Sequence, residues 1–576
     1  MLASNQNLIT MKKYKYIICI IAGISLFPTG CSEEFLNRPP EDTYIAEEWF
    51  QTEEQLNAAV NALYGGVWFD FQRSFINIGD VMAGNENDGG DNAFYTFNVN
   101  ATTSGIAEAY NSLWMAVGYS NSVIEGIDKY APESLSDAVV NRAMGEALVW
   151  KSMAYFYLVR SFGPVPIIES NSEAIINGTA VTLYRNTMTD VYEYIVRLLT
   201  RAAELLPEQN LPGRINKYGA YGLLAKVYLT RSGVGQNGSR NQADLDNARD
   251  HAKLVIDSPL ELEPVYWNLF RISTGNRNPE NLISWHWQAA EAWGSQNALQ
   301  ADLAIQNLTG FGDGWGTWSG PSINLQQVFG EDAMLVGSEN RRYDDARRKA
   351  TMMMDGDFYE DLQRDKPSDP NNPSSPKGLL VKWDGGAQFQ SPTGAWPRKH
   401  IVGNAKDNEA EGGGFIGFMK TNLSTHLLRL ADVYLIYAEA VLGNNATSSE
   451  PSALDALNKV RARSIAGHTP LTEFDFDDIM DERRRELAYE GDNWFDYVRL
   501  HYYKPADAIA RLAAQERGGY SGNAANPPIT LNSMKYTPGN GDFLLPIPEG
   551  DLLKNPNLMK EPVAFDFSTM KQVGRD

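Results

Sequence analysis

At 576 residues, 43% hydrophobic and 21% charged, the chain has the composition of a folded globular protein with room for a large core. Its 72 acidic side chains outnumber 50 Lys and Arg, and the resulting net charge of −22 argues against a nucleic-acid partner, whose phosphates it would repel. The only two cysteines, Cys19 and Cys31, fall in the N-terminal leader, which excludes a disulfide scaffold, thiol catalysis and a cysteine-based metal site from the folded body.

Residues 1–30 read as a lipoprotein signal peptide. From Met11 the sequence runs MKKYKYIICIIAGISLFPTGC, a basic start followed by the apolar run Ile17–Phe27. That run is shorter than the ~20 residues a membrane-crossing helix needs, and it fits a secretory signal. Gly30 supplies a small residue ahead of Cys31, the expected acylation site and lipid anchor, although Pro28 stands where a leucine is usual. Several acyl chains such as palmitate give a stable tether, since one alone binds only marginally. Ser32-Glu33-Glu34 fits an acidic surface-export tag.

Beyond the leader, three regions are expected: a helical part at 31–260, a loop-rich part at 261–420 and a second helical part at 421–576. Apolar residues at helical spacing predict helices over 52–64, 107–129, 137–162, 187–206, 217–231 and 242–257, then over 424–442, 452–465 and 477–500. Phe162-Gly163-Pro164 closes the third of these with a glycine stop. Antiparallel pairs at this rhythm predict a mainly α fold built on a tetratricopeptide-like scaffold, although the strict repeat consensus is absent. The middle region is rich in Pro, Gly, Asn and Ser, as in Lys366–Lys377 (KPSDPNNPSSPK) and Glu411–Gly414, and long loops of this kind usually carry function. A short strand is expected at Asn281–Gln288, where Ile283, Trp285 and Trp287 alternate.

Several segments, in fixed order, resemble the SusD/RagB family of surface nutrient-binding lipoproteins. They are CSEEFLN from Cys31, Ala58–Tyr64 (AAVNALY), Ala154–Pro166 (AYFYLVRSFGPVP) and Gly213–Leu229 (GRINKYGAYGLLAKVYL) in the first half. The second half adds Leu428–Ala440 (LRLADVYLIYAEA), Asn458–Arg463 (NKVRAR), Glu482–Arg499 (ERRRELAYEGDNWFDYVR), Leu545–Pro548 (LPIP) and Asn555–Leu558 (NPNL). The resemblance implies a SusD-like fold: a helical scaffold with an irregular, loop-rich ligand-binding half. It also implies a lipoprotein on the outer face of the outer membrane that caps a SusC-like TonB-dependent transporter. Its ligand would be an oligosaccharide, sometimes a peptide or another nutrient, and no hydrolysis is implied.

Read physically, the motif residues look structural. Arg429, Asp432 and Glu439 interrupt an apolar stripe, and Glu482, Arg483, Arg484 and Glu486 offer complementary charges on a later helix. A glycosidase-like carboxylate pair is the alternative, and the interleaved arginines oppose it by keeping the acids ionised. The six histidines form no His-Glu-x-x-His, and Gly233–Gly238 (GVGQNG), a GxGxxG match, follows a helix instead of a strand and reads as an inter-helix loop. No cofactor is expected. The oxygen-rich loop Gly84–Asn92 (GNENDGGDN) is a candidate for structural calcium, but it lacks the spacing and closing glutamate of an EF-hand.

Tryptophans carry the ligand expectation. Six of thirteen lie between positions 267 and 318, with Trp315 and Trp318 inside FGDGWGTWSG, where glycines make a poor core. Flat aromatic faces suit the apolar faces of sugar rings, each stack contributing roughly 1–2 kcal/mol. The candidate ligand contacts are Trp68, Phe94, Tyr95, Trp285, Trp287, Trp293, Trp315 and Trp318, with Trp68, Trp315 and Trp318 foremost. Trp285 and Trp287 would share a strand face, which also suits a core.

Overall fold

The computed structural model describes residues 46–88, 92–179, 181–289, 293–310, 314–414 and 420–575. Residues 1–45, which hold the predicted leader and Cys31, lie outside them. Contacts divide the chain into two units, Met1–Trp49 and Phe50–Asp576. The first contributes one short described helix, Ala46–Trp49; everything below concerns the second.

The fold is mainly α. Its first half contains α1 (Glu53–Asn61), α2 (Phe69–Ile76), α3 (Ile106–Tyr130), α4 (Asp137–Phe162), α5 (Met188–Leu205), α6 (Lys217–Arg231) and α7 (Gln242–Ile256). The loop-rich middle carries the short α8 (Leu299–Leu303), and the last part contains α9 (Leu430–Leu442), α10 (Pro451–Ser464), α11 (Phe476–Leu487), α12 (Asn493–His501) and α13 (Pro505–Ala514). Neighbours pack in sequence along an array: α3 on α4, α4 on α5, α5 on α6, α6 on α7, then α7 on α9 and α9 on α10 and α11. Such nearest-neighbour stacking is what a tetratricopeptide-like solenoid requires.

Local sequence explains the elements. In α5 the Thr187 hydroxyl caps the helix by accepting from the Asp190 amide at 3.2 Å, and Val191, Ile195, Leu198, Leu199 and Ala202 form its buried stripe. Each fully buried leucine of that kind contributes about 1.5–3 kcal/mol. Helix α4 is buried all round from Ala143 to Phe162, as befits the centre of the array, and ends where Gly163 takes φ of 72°.

Strands are short. β1 (Glu86–Asn87) pairs antiparallel with β3 (Gly320–Pro321), while β2 (Asn281–Trp285) pairs with β6 (Thr425–Arg429) and β4 (Met352–Met354) with β5 (Ala395–Pro397). Two predicted helices are corrected here. Within the predicted helix 424–442, Thr425–Arg429 is the partner strand of β2, and α9 begins only at Leu430. A short apolar run fits either period, and the cross-strand partner decides. The predicted helix 477–500 is broken between α11 and α12, where Tyr489 and Gly491 adopt φ of 65° and 70°.

Charged motif residues meet between α9, α11 and the break, as the sequence pattern suggested. Arg483 reaches Asp432 at 2.7 Å and Asp496 at 2.8 Å, and Lys226 holds Asp432 and Asp492 at 2.7 Å each. Arg429 binds Glu280 at 2.8 Å, Glu486 at 2.9 Å and Glu490 at 2.7 Å. Glu486 also pairs with Arg347 at 3.1 Å and with Arg463. Burial alone would raise Glu486 and Glu490, but the guanidiniums around them win: Glu486 falls well below the usual carboxylate range and Glu490 to about 2. Carboxylates held ionised in this way cannot act as general acids. Arg484 departs from the cluster: its Nε donates to Asn85 at 3.0 Å and its Nη1 to Asn324 at 2.6 Å.

Candidate functional site

Helix α2 sets one wall of an acidic cleft. Phe69, Phe71, Gln72, Phe75 and Ile76 face the interior, which leaves Asp70 and Arg73, three residues apart, on the outer face. After α2 a π-turn, Asn77–Val81, delivers Asp80 beneath the cleft, where it accepts from the amides of Tyr489 at 2.6 Å and Gly491 at 2.9 Å and from Asn85 Nδ2 at 2.9 Å. The broken motif between α11 and α12 therefore has a use: its unusual backbone anchors the turn under the site. Gly79 and Gly491 touch backbone to backbone, and a Cβ on Gly79 would lie 2.2 Å from the Gly491 carbonyl carbon.

From that turn the chain enters β1. Arg484 grips Asn85, Ser322 Oγ donates to the Gly84 carbonyl at 2.6 Å, and Asn87 Nδ2 donates to the Gly518 carbonyl at 2.8 Å. The β1–β3 pair ties this acidic loop to the loop bearing Trp315 and Trp318. That second loop is itself pinned: the Gly316 amide donates to the Ala304 carbonyl at 3.1 Å, the Gln306 amide to Thr317 Oγ1 at 2.6 Å, and Trp318 Nε1 to Gln390 Oε1 at 2.7 Å.

Between these walls lies a cleft of about 420 Å3 bounded by α2, β1, the start of α3, α8 and Trp315. Asp70, Glu86, Asp88, Glu108 and Asp302 line it, and Arg73 is the single cation among the described lining residues. Arg73 is exposed and donates to no described residue, so it is available to a ligand. Glu86 is 4% exposed, and its Oε2 has no partner among the described residues. Burial first, then Asp88, Asp80 and Asp302, push its carboxyl up to about 8 against the lowering effect of Ser319. Asp302, raised chiefly by burial and lowered by Arg73, sits at about 6.

A stability consequence follows from Glu86. Because its folded value lies above its ordinary 4.5, the native state favours the protonated form, and that stability is complete below pH 4.5 and lost as pH rises through about 8. Buried Lys151, lowered to about 7 mainly by burial, acts in the opposite direction at high pH, so only a difference isolates Glu86. Melting curves of Glu86→Gln and wild type should therefore diverge between pH 6 and 9, the variant gaining about 2–3 kcal/mol on the wild type. A constant difference across that range would show that Glu86 is not raised.

The tryptophan expectations divide. Trp293, Trp315 and Trp318 are 55%, 62% and 50% exposed. Trp293 stands edge-on to Phe69 at the start of α2, at 5.3 Å, and Trp315 lines the cleft that Asp70 and Arg73 also line. The remaining candidates are corrected: Trp68, Phe94, Tyr95, Trp285 and Trp287 are all buried and present no face to a ligand. Trp68 packs at 5.5 Å from both Trp150 and Trp285, and its Nε1 donates to the Leu63 carbonyl at 2.7 Å. The glycines beside it permit close packing, not exposure: a Cβ on Gly65 would lie 2.5 Å from the His286 carbonyl oxygen. Trp287 Nε1 is spent on Thr425 Oγ1 at 3.1 Å, and the Arg517 guanidinium covers Tyr95 at 5.0 Å. Phe94 lies in the same packed turn after the acidic loop.

Arg73, Asp70, Glu108 and Asp302 were not singled out from sequence. Only the pair Asp70 and Arg73 left a local signal, as the polar face of an otherwise apolar helix. In the calcium candidate, Asn85 and Asn87 direct their side chains to protein partners, Gly89–Asp91 lie outside the described residues, and no group of three or more His, Cys, Asp or Glu among the described residues is placed to hold a metal ion. A second recess, of about 470 Å3, contains Trp267 and Arg398. There the ring is already occupied: Trp267 Nε1 donates to Asp361 at 2.9 Å and the Arg398 guanidinium stacks on its face at 3.9 Å.

Comparison with known proteins places these features in context. A family model described as "SusD family" matches residues 329–563, and one described as "Starch-binding associating with outer membrane" matches residues 34–229. A SusD-like protein of Bacteroides ovatus is 33% identical, the match covering 96% of this chain and 98% of that one. SusD-like protein P2 of Formosa agariphila is 26% identical over 95% of this chain and 99% of its own. Among solved structures, a crystal structure with xylogluco-oligosaccharide superposes with a TM-score of 0.76 at 31% identity, covering 89% of this chain and 99% of that one. Surface glycan-binding protein A from Bacteroides thetaiotaomicron, in complex with laminarihexaose, shares the fold at a TM-score of 0.62 and 18% identity, over 87% of this chain and 97% of that one.

Proposed function

The chain belongs to the SusD/RagB family, and from that premise we propose that it captures oligosaccharide on the exposed tryptophans Trp293, Trp315 and Trp318 beside the acidic cleft. One observation carries the reading: three large aromatic rings stand half or more exposed, two of them on a pinned loop, and one of these rims a cleft with an unengaged arginine. A loop fixed before binding incurs little ordering cost, so modest stacking converts into measurable affinity. Arg73 supplies donors for hydroxyls, and the carboxylates supply acceptors. Relatives whose structures hold xylogluco-oligosaccharide and laminarihexaose support a carbohydrate as the ligand class.

The ligand is held, not cleaved. The motif carboxylates are locked in ion pairs that hold them ionised, so they offer no proton to a glycosidic oxygen. Acylation of Cys31 tethers the protein to the outer membrane, facing outward, and it delivers its cargo to a SusC-like TonB-dependent transporter. Support for that arrangement comes from the leader sequence and from the outer-membrane association named in the matching family.

Calorimetry of the mature chain against a panel of neutral oligosaccharides and of peptides tests the reading. Binding of at least one glycan, recovered intact after incubation, is expected. Silence across the glycans with binding of a peptide would replace the carbohydrate by a peptide ligand, and release of shortened glycan would make the protein a hydrolase.

A further inference from the structure

We infer that the acidic cleft beside Trp315 is a selectivity filter that rejects anionic glycans, with Glu86 at its floor reading a neutral sugar hydroxyl. This rests on the glycan-capture reading above and adds to it the charge class of the ligand. Two independent observations carry it. The first is the lining: Asp70, Asp88, Glu108 and Asp302 surround Arg73, the one cation among the described lining residues, and Asp80 lies just beneath. A uronate or sulfate stacked on Trp315 would sit among these carboxylates with one guanidinium to compensate, and like charges brought together across an interface weaken binding.

The second observation is Glu86 itself. It is buried, it lines the cleft, and its Oε2 has no partner among the described residues. Buried polar atoms are satisfied in nearly all folded proteins, so an orphan facing a cleft marks a place where a ligand or water completes the bonding. Among the described residues, the titratable groups that act on Glu86 are Asp88 on its own loop, Asp80 from the π-turn, Asp302 from α8 and Tyr489 from the break after α11, and the neutral Ser319 hydroxyl also bonds it. None is a cation. A carboxyl in such company enters neutral solution largely protonated, and a carboxylic acid both donates to and accepts from a hydroxyl.

The probes are a xylogluco-oligosaccharide and the same oligosaccharide oxidised at C6 to uronates, titrated into the mature chain at low and high salt. The expected result is that the uronate form binds about tenfold or more weaker at low salt, with the gap narrowing as salt screens the cleft. The double variant Asp70→Asn, Asp302→Asn should narrow the gap at low salt. Glu86→Leu should weaken the neutral ligand about tenfold, and Glu86→Gln, which keeps a donor and an acceptor, should restore most of it. Melting temperatures confirm that each variant is folded. Equal affinity for the neutral and uronate forms, or an unchanged gap in the double variant, overturns the filter; wild-type affinity in Glu86→Leu overturns the role of Glu86. If no neutral glycan of the panel binds at all, it is the glycan-capture reading that fails, a result distinct from any of these.

Discussion

Substituting Glu486 by alanine is expected to destabilise the protein by about 3–5 kcal/mol, enough to lower the melting temperature by several degrees or prevent folding. Glu486 is fully buried and is shared by Arg347, Arg429 and Arg463. Removing it leaves three guanidiniums in a low-dielectric interior with part of their compensation gone, which costs far more than the pairs contribute when complete. The same cluster sets an acid limit. Because Glu490 and Glu486 are held below their ordinary 4.5, the stability they confer is present above that pH and is lost as pH falls toward about 2. Thermal melting across pH 2–7 checks both statements. A Glu486→Ala protein that melts like the wild type, or a wild type indifferent to pH 2.5, would show that the cluster contributes little.

The second large effect is on binding. Trp315→Ala should weaken glycan capture about tenfold, and combining it with Trp318→Ala should bring the loss to about a hundredfold, each ring removing roughly 1–2 kcal/mol of stacking. Both rings are exposed, so the melting temperature should stay within a degree or two of the wild type. Trp68→Ala provides the contrast. That ring is wholly buried against Trp150 and Trp285, so its loss should cost about 3–5 kcal/mol of stability. Calorimetry and melting, run on the three variants together, separate a binding tryptophan from a packing one.

That contrast also shows what the sequence discloses. The helices of the array were legible because each must bury a stripe at helical spacing, and α3 through α7 lie within one or two residues of where the period puts them. The break at Ala488–Asp492 was hidden, because its cause is not local: Asp80, some four hundred positions earlier, takes the amides of Tyr489 and Gly491. Strand β6 was hidden for the same reason, since its partner β2 lies far back in the chain.

At the site, glycine next to tryptophan had two outcomes that composition cannot separate. Gly316 beside Trp315 and Gly65 beside Trp68 both let one backbone press on another, yet the ring of Trp315 stands exposed and that of Trp68 is buried. The acidic cleft left almost no trace, because its carboxylates come from α2, β1, α3 and α8 and share no motif. Arg484 illustrates a further blind spot. Sequence grouped it with the ion-pair cluster next to Arg483, yet one helical step turns it toward Asn85 and makes it a brace for the ligand loop.

Glycan capture by the exposed tryptophans is tested most directly by a crystal structure of the mature protein soaked with a bound oligosaccharide from the calorimetric panel. The expected density is a sugar ring lying flat on Trp315 or Trp318, with a hydroxyl within hydrogen-bond reach of Arg73. A sugar seated in the recess of Trp267 and Arg398, with the rings of Trp293, Trp315 and Trp318 bare, would contradict it.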